Sequence, residues 1–452
     1  EFMRIHFIAI GGSAMHNLAI ALHKKGYHVT GSDDEVFEPS RSRLNKYGLL
    51  PAEMGWLPDQ ITHDIDVVIL GMHARPENPE LKRARELGLR VCSYPEYLYE
   101  QTRDKKRVVI AGSHGKTTIT SMLLHALREL GVRFDFMVGA HIKGFDTMVS
   151  LSNDTDLAIF EGDEYLSSPI DRRPKFVWYH PHIALITGVA WDHVNVFPTL
   201  EEYNEQFRLF AGTIEPGGSL IYYEDDPIVR EIAENLSHVE CIPYRSVDAV
   251  AKDDQTVVKN GTREVLLKIF GPHNLQNLAG ALEIARKLGI SAGDFLEAMR
   301  TFEGADRRLQ VLGENSGAKV FFDFAHAPSK VKASVAAVKA QYPSRRLVAV
   351  VELHTFSSLS REFLPQYRHA MDDADEAIVF FSPEVVAHKK LPSITAQEVA
   401  DAFGHSSMRV FDDAECFKQH LQSLQLKNAN LLLMTSGNLA GIDVYGLTEE
   451  LL

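Results

Sequence analysis

Short apolar runs alternate along the chain with longer segments whose apolar residues recur at helical spacing. Arg4 to Ile10 reads as a strand and Met15 to Lys25 as an amphipathic helix. Tyr27 to Thr30 and Asp66 to Leu70 read as strands, and Glu80 to Leu87 as a helix. Gly26 and Gly88 each follow a helical run, where a left-handed cap is needed. Val108 to Ala111 restarts the pattern and leads through a glycine loop into a helix over Thr117 to Leu130. Leu157 to Phe160, Ile183 to Thr187 and Ser219 to Tyr223 continue it as strands, and a helix over Asn274 to Leu288 closes the stretch. From near Val311 a third unit begins, with strands Lys319 to Asp323, Leu347 to Glu352, Glu376 to Phe381 and Asn430 to Thr435. Such alternation predicts an α/β fold of three domains, each a mostly parallel sheet flanked by helices. The charged, aperiodic stretch Gln101 to Arg107 marks the first boundary, giving expected domains 1–105, 106–310 and 311–452.

The length of 452 residues, at roughly 150 per domain, agrees with three domains. An apolar fraction of 45% and a charged fraction of 24% are those of a soluble globular chain. Lys plus Arg total 47 against 61 Asp plus Glu, a net charge of −14. That sign argues against nucleic acid or an anionic membrane as partner, but leaves room for a small polyanion in a local pocket. Cys92, Cys241 and Cys416 are scattered and odd in number, the usage of reduced thiols in a cytoplasmic protein. No apolar run approaches the ~18 residues of a membrane span, so no membrane insertion is expected. Glu1 and Phe2, ahead of Met3, read as a remnant in front of the natural start.

The strongest local chemistry lies in Val108-Val-Ile-Ala-Gly-Ser-His-Gly-Lys-Thr-Thr118. A strand, a tight small-residue turn and a helix start at Lys116-Thr117 aim backbone N–H groups and a helix N-terminus at one point, which suits phosphate. Lys116 is placed for the β- and γ-phosphates and Thr117 for Mg²⁺, although full Walker spacing would need a glycine where Ile110 stands. Ile8-Ala-Ile-Gly-Gly-Ser-Ala-Met15 is weaker: of the glycines of a dinucleotide fingerprint only Gly11 is present, with Ala9 and Ala14 in the other two places. A diphosphate on the Gly11-Gly12 turn, with Asp33 on a ribose or base, and a plain structural βα turn are both open. Phe160-Glu-Gly-Asp-Glu-Tyr165 follows a strand and is either a Mg²⁺-holding loop or a solvated one. Trp191-Asp-His-Val194 supplies a further metal candidate, His193. His273, Asn274 and Asn277 can read an adenine edge, or Asn274 can cap its helix. Arg307-Arg308 is either a linker charge or a phosphate clamp.

Taken together and in order, these segments resemble the Mur ligase family over essentially the whole chain: Ala9-Ile-Gly-Gly12, Gly112-Ser-His-Gly-Lys-Thr-Thr118, Glu161-Gly-Asp-Glu164, Asp192-His193, Gly271-Pro-His-Asn274 with Asn277, Arg308, and Asp323-Phe-Ala-His326. The resemblance implies a Rossmann-like N-terminal domain for a UDP-substrate, a P-loop ATPase-like central domain, and a Rossmann-like C-terminal domain for the amine. It implies ATP and Mg²⁺ as cofactors, with Lys116, Glu161 and His193 as catalytic residues and Thr117, Glu161 and His193 on the metal. Gly112, Ser113, His114, Gly115, Lys116, Thr117, Thr118, His273, Asn274, Asn277, Arg308 and Asp323 would bind the nucleotide. Gly11, Gly12, Ser13, Asp33, His73 and Arg75 would meet the UDP-substrate, and His326, His354, Thr355 and Ser357 the amine. Within the family, Ile5 to Gly12 is similar to the branch that uses UDP-N-acetylmuramate and adds either L-alanine or a murein tripeptide, as a monomer or weak homodimer. The stretch Asp163 to Val177 and Leu433 to Ile442 are similar to the tripeptide-adding, recycling members. The loop Glu352 to Ser358 departs from both, since it lacks the arginine that both normally carry near the amine.

Overall fold

In a computed structural model of the chain, which describes residues 3–191, 196–252 and 255–452, the expected α/β architecture is present as three mostly parallel sheets. The first has four parallel strands in the order His28–Ser32, Arg4–Ile8, Val67–Leu70, Val91–Ser93. The second has seven, in the order Glu240–Tyr244, Ser219–Tyr223, Ile183–Ile186, Lys106–Ala111, Leu157–Glu161, Asp135–Met137, Val149–Ser150. All are parallel except the last, which pairs antiparallel with Asp135–Met137. The third has six, with Ala318–Asp323, Ala429–Met434, Arg346–Leu353, Glu376–Phe381 and Met408–Phe411 parallel and Gln310–Asn315 antiparallel at one edge. Central strands such as Lys106–Ala111 are apolar on both faces because helices cover both, which is why they read as unbroken apolar runs.

The chain divides into two compact units, Glu1–Ser246 with Gln276–Met299, and Val247–Leu275 with Arg300–Leu452. Two antiparallel pieces interrupt the alternation. Ala249–Lys252, Gln255–Asn260 and Arg263–Leu267 form a three-stranded sheet, and Leu166–Ser168 with Asp171–Pro174 a hairpin.

The stretch Gln101 to Arg107 runs from the end of a helix into the central strand. Gln101 ends the helix Tyr94–Gln101, and Lys106 and Arg107 already belong to the central strand. Arg107 is 2% exposed, and its guanidinium donates to the carbonyls of Thr102, Arg103, Lys105, Tyr179 and His180 and meets Glu215 at 3.4 Å. Its charge is buried because that many acceptors surround it.

The first strand ends at Ile8, two residues before the expected Ile10. Ala9 adopts φ 71, and the N–H groups of Ala9 and Ile10 both turn to the Ser32 carbonyl. Alanine thus holds the left-handed conformation that the fingerprint assigns to glycine. Among the described residues no helix is long and apolar enough to cross a membrane.

Candidate active site

The central strand leaves its sheet at Gly112, whose φ of 132 and lack of side chain are both required: a Cβ there would lie 1.7 Å from Thr187 Oγ1. Gly115, at φ 87, precedes the helix Lys116–Glu129, and a Cβ on it would lie 2.5 Å from Asn277 Oδ1. This close approach brings Asn277 to the loop. Ser113 accepts from the Ala190 N–H at 2.8 Å and lies 2.9 Å from the Tyr203 hydroxyl, His114 is exposed, and Thr118 is buried in the first helical turn. The loop is a cradle of small residues at a helix N-terminus, a shape that receives phosphate oxygens on backbone N–H groups.

Against the loop stands the end of the strand Leu157–Glu161. Thr117 Oγ1 donates to Glu161 Oε1 at 2.7 Å, and the Gly139 N–H donates to Glu161 Oε2 at 2.7 Å. Lys116 Nζ lies 3.2 Å from Glu164 Oε2, whose other oxygen accepts from the Tyr203 hydroxyl at 2.7 Å. Burial opposes the charge on Lys116, but Glu164, Asp163 and Glu161 outweigh it and hold the pKa above the ordinary lysine value. Asp163 is itself paired with Lys175 at 3.3 Å. Sequence reasoning missed Tyr203, which ties the glycine loop to the acidic loop from a distant helix. It missed also Tyr94 and Tyr179, whose buried hydroxyls have no hydrogen-bond partner among the described residues and whose pKa values burial drives upward. The expected metal ligand His193 lies outside the described residues. Among the described residues no group of three or more His, Cys, Asp or Glu is arranged to hold a metal ion. Of the expected metal ligands, the described residues bring together a hydroxyl and a carboxylate, Thr117 and Glu161. Such hard oxygens fit Mg²⁺, which keeps several waters and takes few protein ligands.

At the carboxyl end of the first sheet, Gly11, Gly12, Ser13, Asp33 and His73 come together. Asp33 accepts from the N–H groups of Gly11 at 2.8 Å and Asp34 at 2.9 Å. A Cβ on Gly11 would lie 2.9 Å from Asp33 Oδ2, and one on Gly12 3.6 Å from His73 Cδ2. Asp33 therefore shapes the turn, and burial raises its pKa to about 6. Arg75 is exposed in the loop after His73.

In the second unit, Asp323 is buried and fully engaged, accepting from Leu309 N–H at 2.9 Å, Ala325 N–H at 3.2 Å and Ser334 Oγ at 2.7 Å. Arg308 stacks over Phe324 with 5.2 Å to the ring centre. Asn274 is not a cap. It lies inside the helix Pro272–Lys287, where its amide donates to the Phe270 carbonyl at 3.0 Å, and the neighbouring His273 is exposed. His326 Nδ1 lies 3.1 Å from its neighbour's carbonyl at Phe324, and His354 packs beside Gly437. Thr355 spends its hydroxyl on a local turn with Ser358 at 3.0 Å, leaving Ser357 exposed. Where the arginine is missing, Glu352 is buried and accepts from Thr435, Leu439 and Ala440.

The chain matches the "Mur ligase family, catalytic domain" over residues 4–106, the "Mur ligase middle domain" over 110–285 and the "Mur ligase, glutamate ligase domain" over 307–438. The UDP-N-acetylmuramate–L-alanine ligase of Rubrobacter xylanophilus is 31% identical over 468 residues, covering 100% of this chain and 99% of that protein. Among solved structures, the UDP-N-acetylmuramate–alanine ligase of Thermotoga maritima has a TM-score of 0.72 at 21% identity, covering 99% of this chain and 98% of that one. A murein peptide ligase of Psychrobacter arcticus has a TM-score of 0.62 at 23% identity with the same coverage, 99% and 98%. These two likenesses establish the fold. The chain belongs to the Mur ligase family, and so to the ATP-dependent, Mg²⁺-requiring ligases that form a carbon–nitrogen bond in peptidoglycan synthesis.

Proposed function

We propose that the chain joins the lactyl carboxylate of UDP-N-acetylmuramate to the amino group of the tripeptide L-alanyl-γ-D-glutamyl-diaminopimelate, in peptidoglycan recycling. The convergence of Lys116, Thr117 and Glu161 on one glycine cradle carries the ATP-dependent step of this reading. A carboxylate oxygen attacks the γ-phosphorus of ATP and ADP departs. The peptide's neutral amine then attacks the acyl-phosphate carbon, inorganic phosphate leaves and the nitrogen loses a proton. Lys116 balances negative charge on the transferring phosphoryl group and on the tetrahedral adduct. Mg²⁺, when bound through Thr117, Glu161 and His193, neutralises phosphate oxygens.

In this reading residues 1–105 bind the UDP-sugar through Gly11, Gly12, Ser13, Asp33, His73 and Arg75. Residues 106–310 bind ATP through the glycine loop, Asn277, His273, Asn274 and Arg308, with Asp323 from the following domain. Residues 311–452 receive the amine near His326, His354, Thr355 and Ser357. Asp323 and Thr355 act mainly by holding backbone, since their oxygens are already engaged.

The peptide rather than alanine is supported by the resemblance of Asp163 to Val177 and of Leu433 to Ile442 to the tripeptide-adding members; the first of these stretches forms the hairpin Leu166–Ser168 with Asp171–Pro174. Asp171 there holds Arg173 at 2.9 Å and Trp178 Nε1 at 3.2 Å, with the guanidinium 4.3 Å over the indole. The alanine reading draws on the names of the relatives. ADP release from ATP, Mg²⁺ and UDP-N-acetylmuramate, measured with each amine and repeated with Lys116→Ala, tests the proposal. Release with the tripeptide and its loss in the variant is expected; release from the variant at the original rate contradicts it.

A further inference from the structure

The glycine turn of the first sheet and the carboxylate at the end of the central sheet are joined by a run of hydrogen bonds and intervening peptide units, and the Asn17 side chain makes one crossing. Asn17, 0% exposed, donates from Nδ2 to the Ser13 carbonyl at 2.8 Å and accepts at Oδ1 from the Met148 N–H at 3.1 Å. The Met148 carbonyl accepts from Val138 N–H at 2.9 Å, and the next residue, Gly139, donates its N–H to Glu161 Oε2. Glu161 in turn accepts from Thr117. The loop between Val138 and Met148 is thus pinned at its base, one end of the pin resting on Asn17 and the other, through Gly139, on the carboxylate that faces the phosphate loop.

Beside Asn17 runs a parallel tie. His16 Nδ1 lies 2.9 Å from the Gly12 carbonyl, and its Nε2 lies 3.1 Å from Arg43 Nη1, while Arg43 Nη2 donates to the Asp146 carbonyl at 3.2 Å. The arginine donor fixes Nε2 as an acceptor, so the ring is neutral with its proton on Nδ1. Burial, reinforced by Arg43, lowers the His16 pKa to the same end.

We infer that Asn17 is a positioning residue that couples occupancy of the Gly11–Ser13 turn to the placement of Glu161. The amide donates to the Ser13 carbonyl, lies 3.4 Å from His16 Nε2 and accepts from Met148: alanine breaks these contacts, and aspartate keeps the one from Met148 while setting a carboxylate oxygen against the Ser13 carbonyl. Sugar-nucleotide binding that orders the turn favours one setting of the 138–148 loop and, through Gly139, one setting of Glu161. The coupling is reciprocal, so nucleotide bound with its metal tightens the turn by the same factor. The inference rests on the turn's being the UDP-sugar site.

The test is a linkage measurement on the intact chain. The dissociation constant of Mg²⁺-ADP is measured by calorimetry with and without saturating UDP-N-acetylmuramate, and again with EDTA, for the wild type, Asn17→Ala and Asn17→Asp. The expected wild-type ratio is about 5-fold or more with Mg²⁺, falling toward 1 with EDTA and in both variants, with thermal midpoints recorded alongside. A structural role alone would lower the midpoint and leave the ratio intact, so a wild-type ratio retained in either folded variant overturns the inference. So does a wild-type ratio of 1 when the sugar nucleotide binds. If the sugar nucleotide fails to bind the wild type at all, the assignment of the turn falls instead.

Discussion

Thr117 Oγ1 and Glu161 Oε1 stand 2.7 Å apart although 44 residues separate them in the chain. One opens the helix after the glycine loop and the other closes the neighbouring strand, so their meeting is a product of parallel pairing between Lys106–Ala111 and Leu157–Glu161. Thr117→Val removes the hydroxyl and keeps the shape, and Gly139 still holds Glu161. ADP formation should drop by about 100-fold or more, while the thermal midpoint moves little and Thr117→Ser restores most of the rate. A Thr117→Val enzyme with turnover close to that of the wild type would refute the assignment.

Gly112 has both a left-handed φ of 132 and no room for a Cβ, which would fall 1.7 Å from Thr187 Oγ1 and 2.9 Å from Thr187 N. Gly112→Ala should therefore cost about 3 kcal/mol or more in urea unfolding and abolish ADP binding. Pairing it with Thr187→Gly clears the side-chain clash but leaves the backbone one, so rescue should be partial at most.

Asp33 is a carboxylate whose folded pKa burial raises to about 6, above the unfolded value of 3.8. Between those values the folded state binds more protons, so the group's contribution is favourable below pH 3.8 and is lost as pH rises through 6. Asp33→Asn loses one of the two N–H bonds that the carboxylate accepts at every pH, but its stability relative to the wild type should shift in the variant's favour by about 1–3 kcal/mol as pH rises from about 4 to 7.5. Parallel stability curves across that range would show that burial of the charge is not what distinguishes this site.

Much of this organisation was legible because it is local. Parallel strands buried on both faces read as apolar runs, and the phosphate loop is a contiguous strand–turn–helix stretch ending at Lys116 and Thr117. The burial of Arg107 was not legible because a buried cation and a solvated one look the same in sequence; only the ring of carbonyls around it tells them apart. Asn17 and Tyr203 escaped for the opposite reason. Each sits on the buried face of an ordinary amphipathic helix, and its partners, Met148 for one and Ser113 and Glu164 for the other, are brought to it by tertiary packing alone. Ala9 shows that a fingerprint can be obeyed in backbone and violated in residue type.

The most direct measurement offers the enzyme both amines at once. With ATP, Mg²⁺, UDP-N-acetylmuramate and equal concentrations of L-alanine and L-alanyl-γ-D-glutamyl-diaminopimelate, the products are resolved by mass spectrometry over the linear part of the reaction. The UDP-N-acetylmuramoyl tripeptide should form in large excess over the alanine adduct. Predominance of the alanine adduct would contradict the assignment.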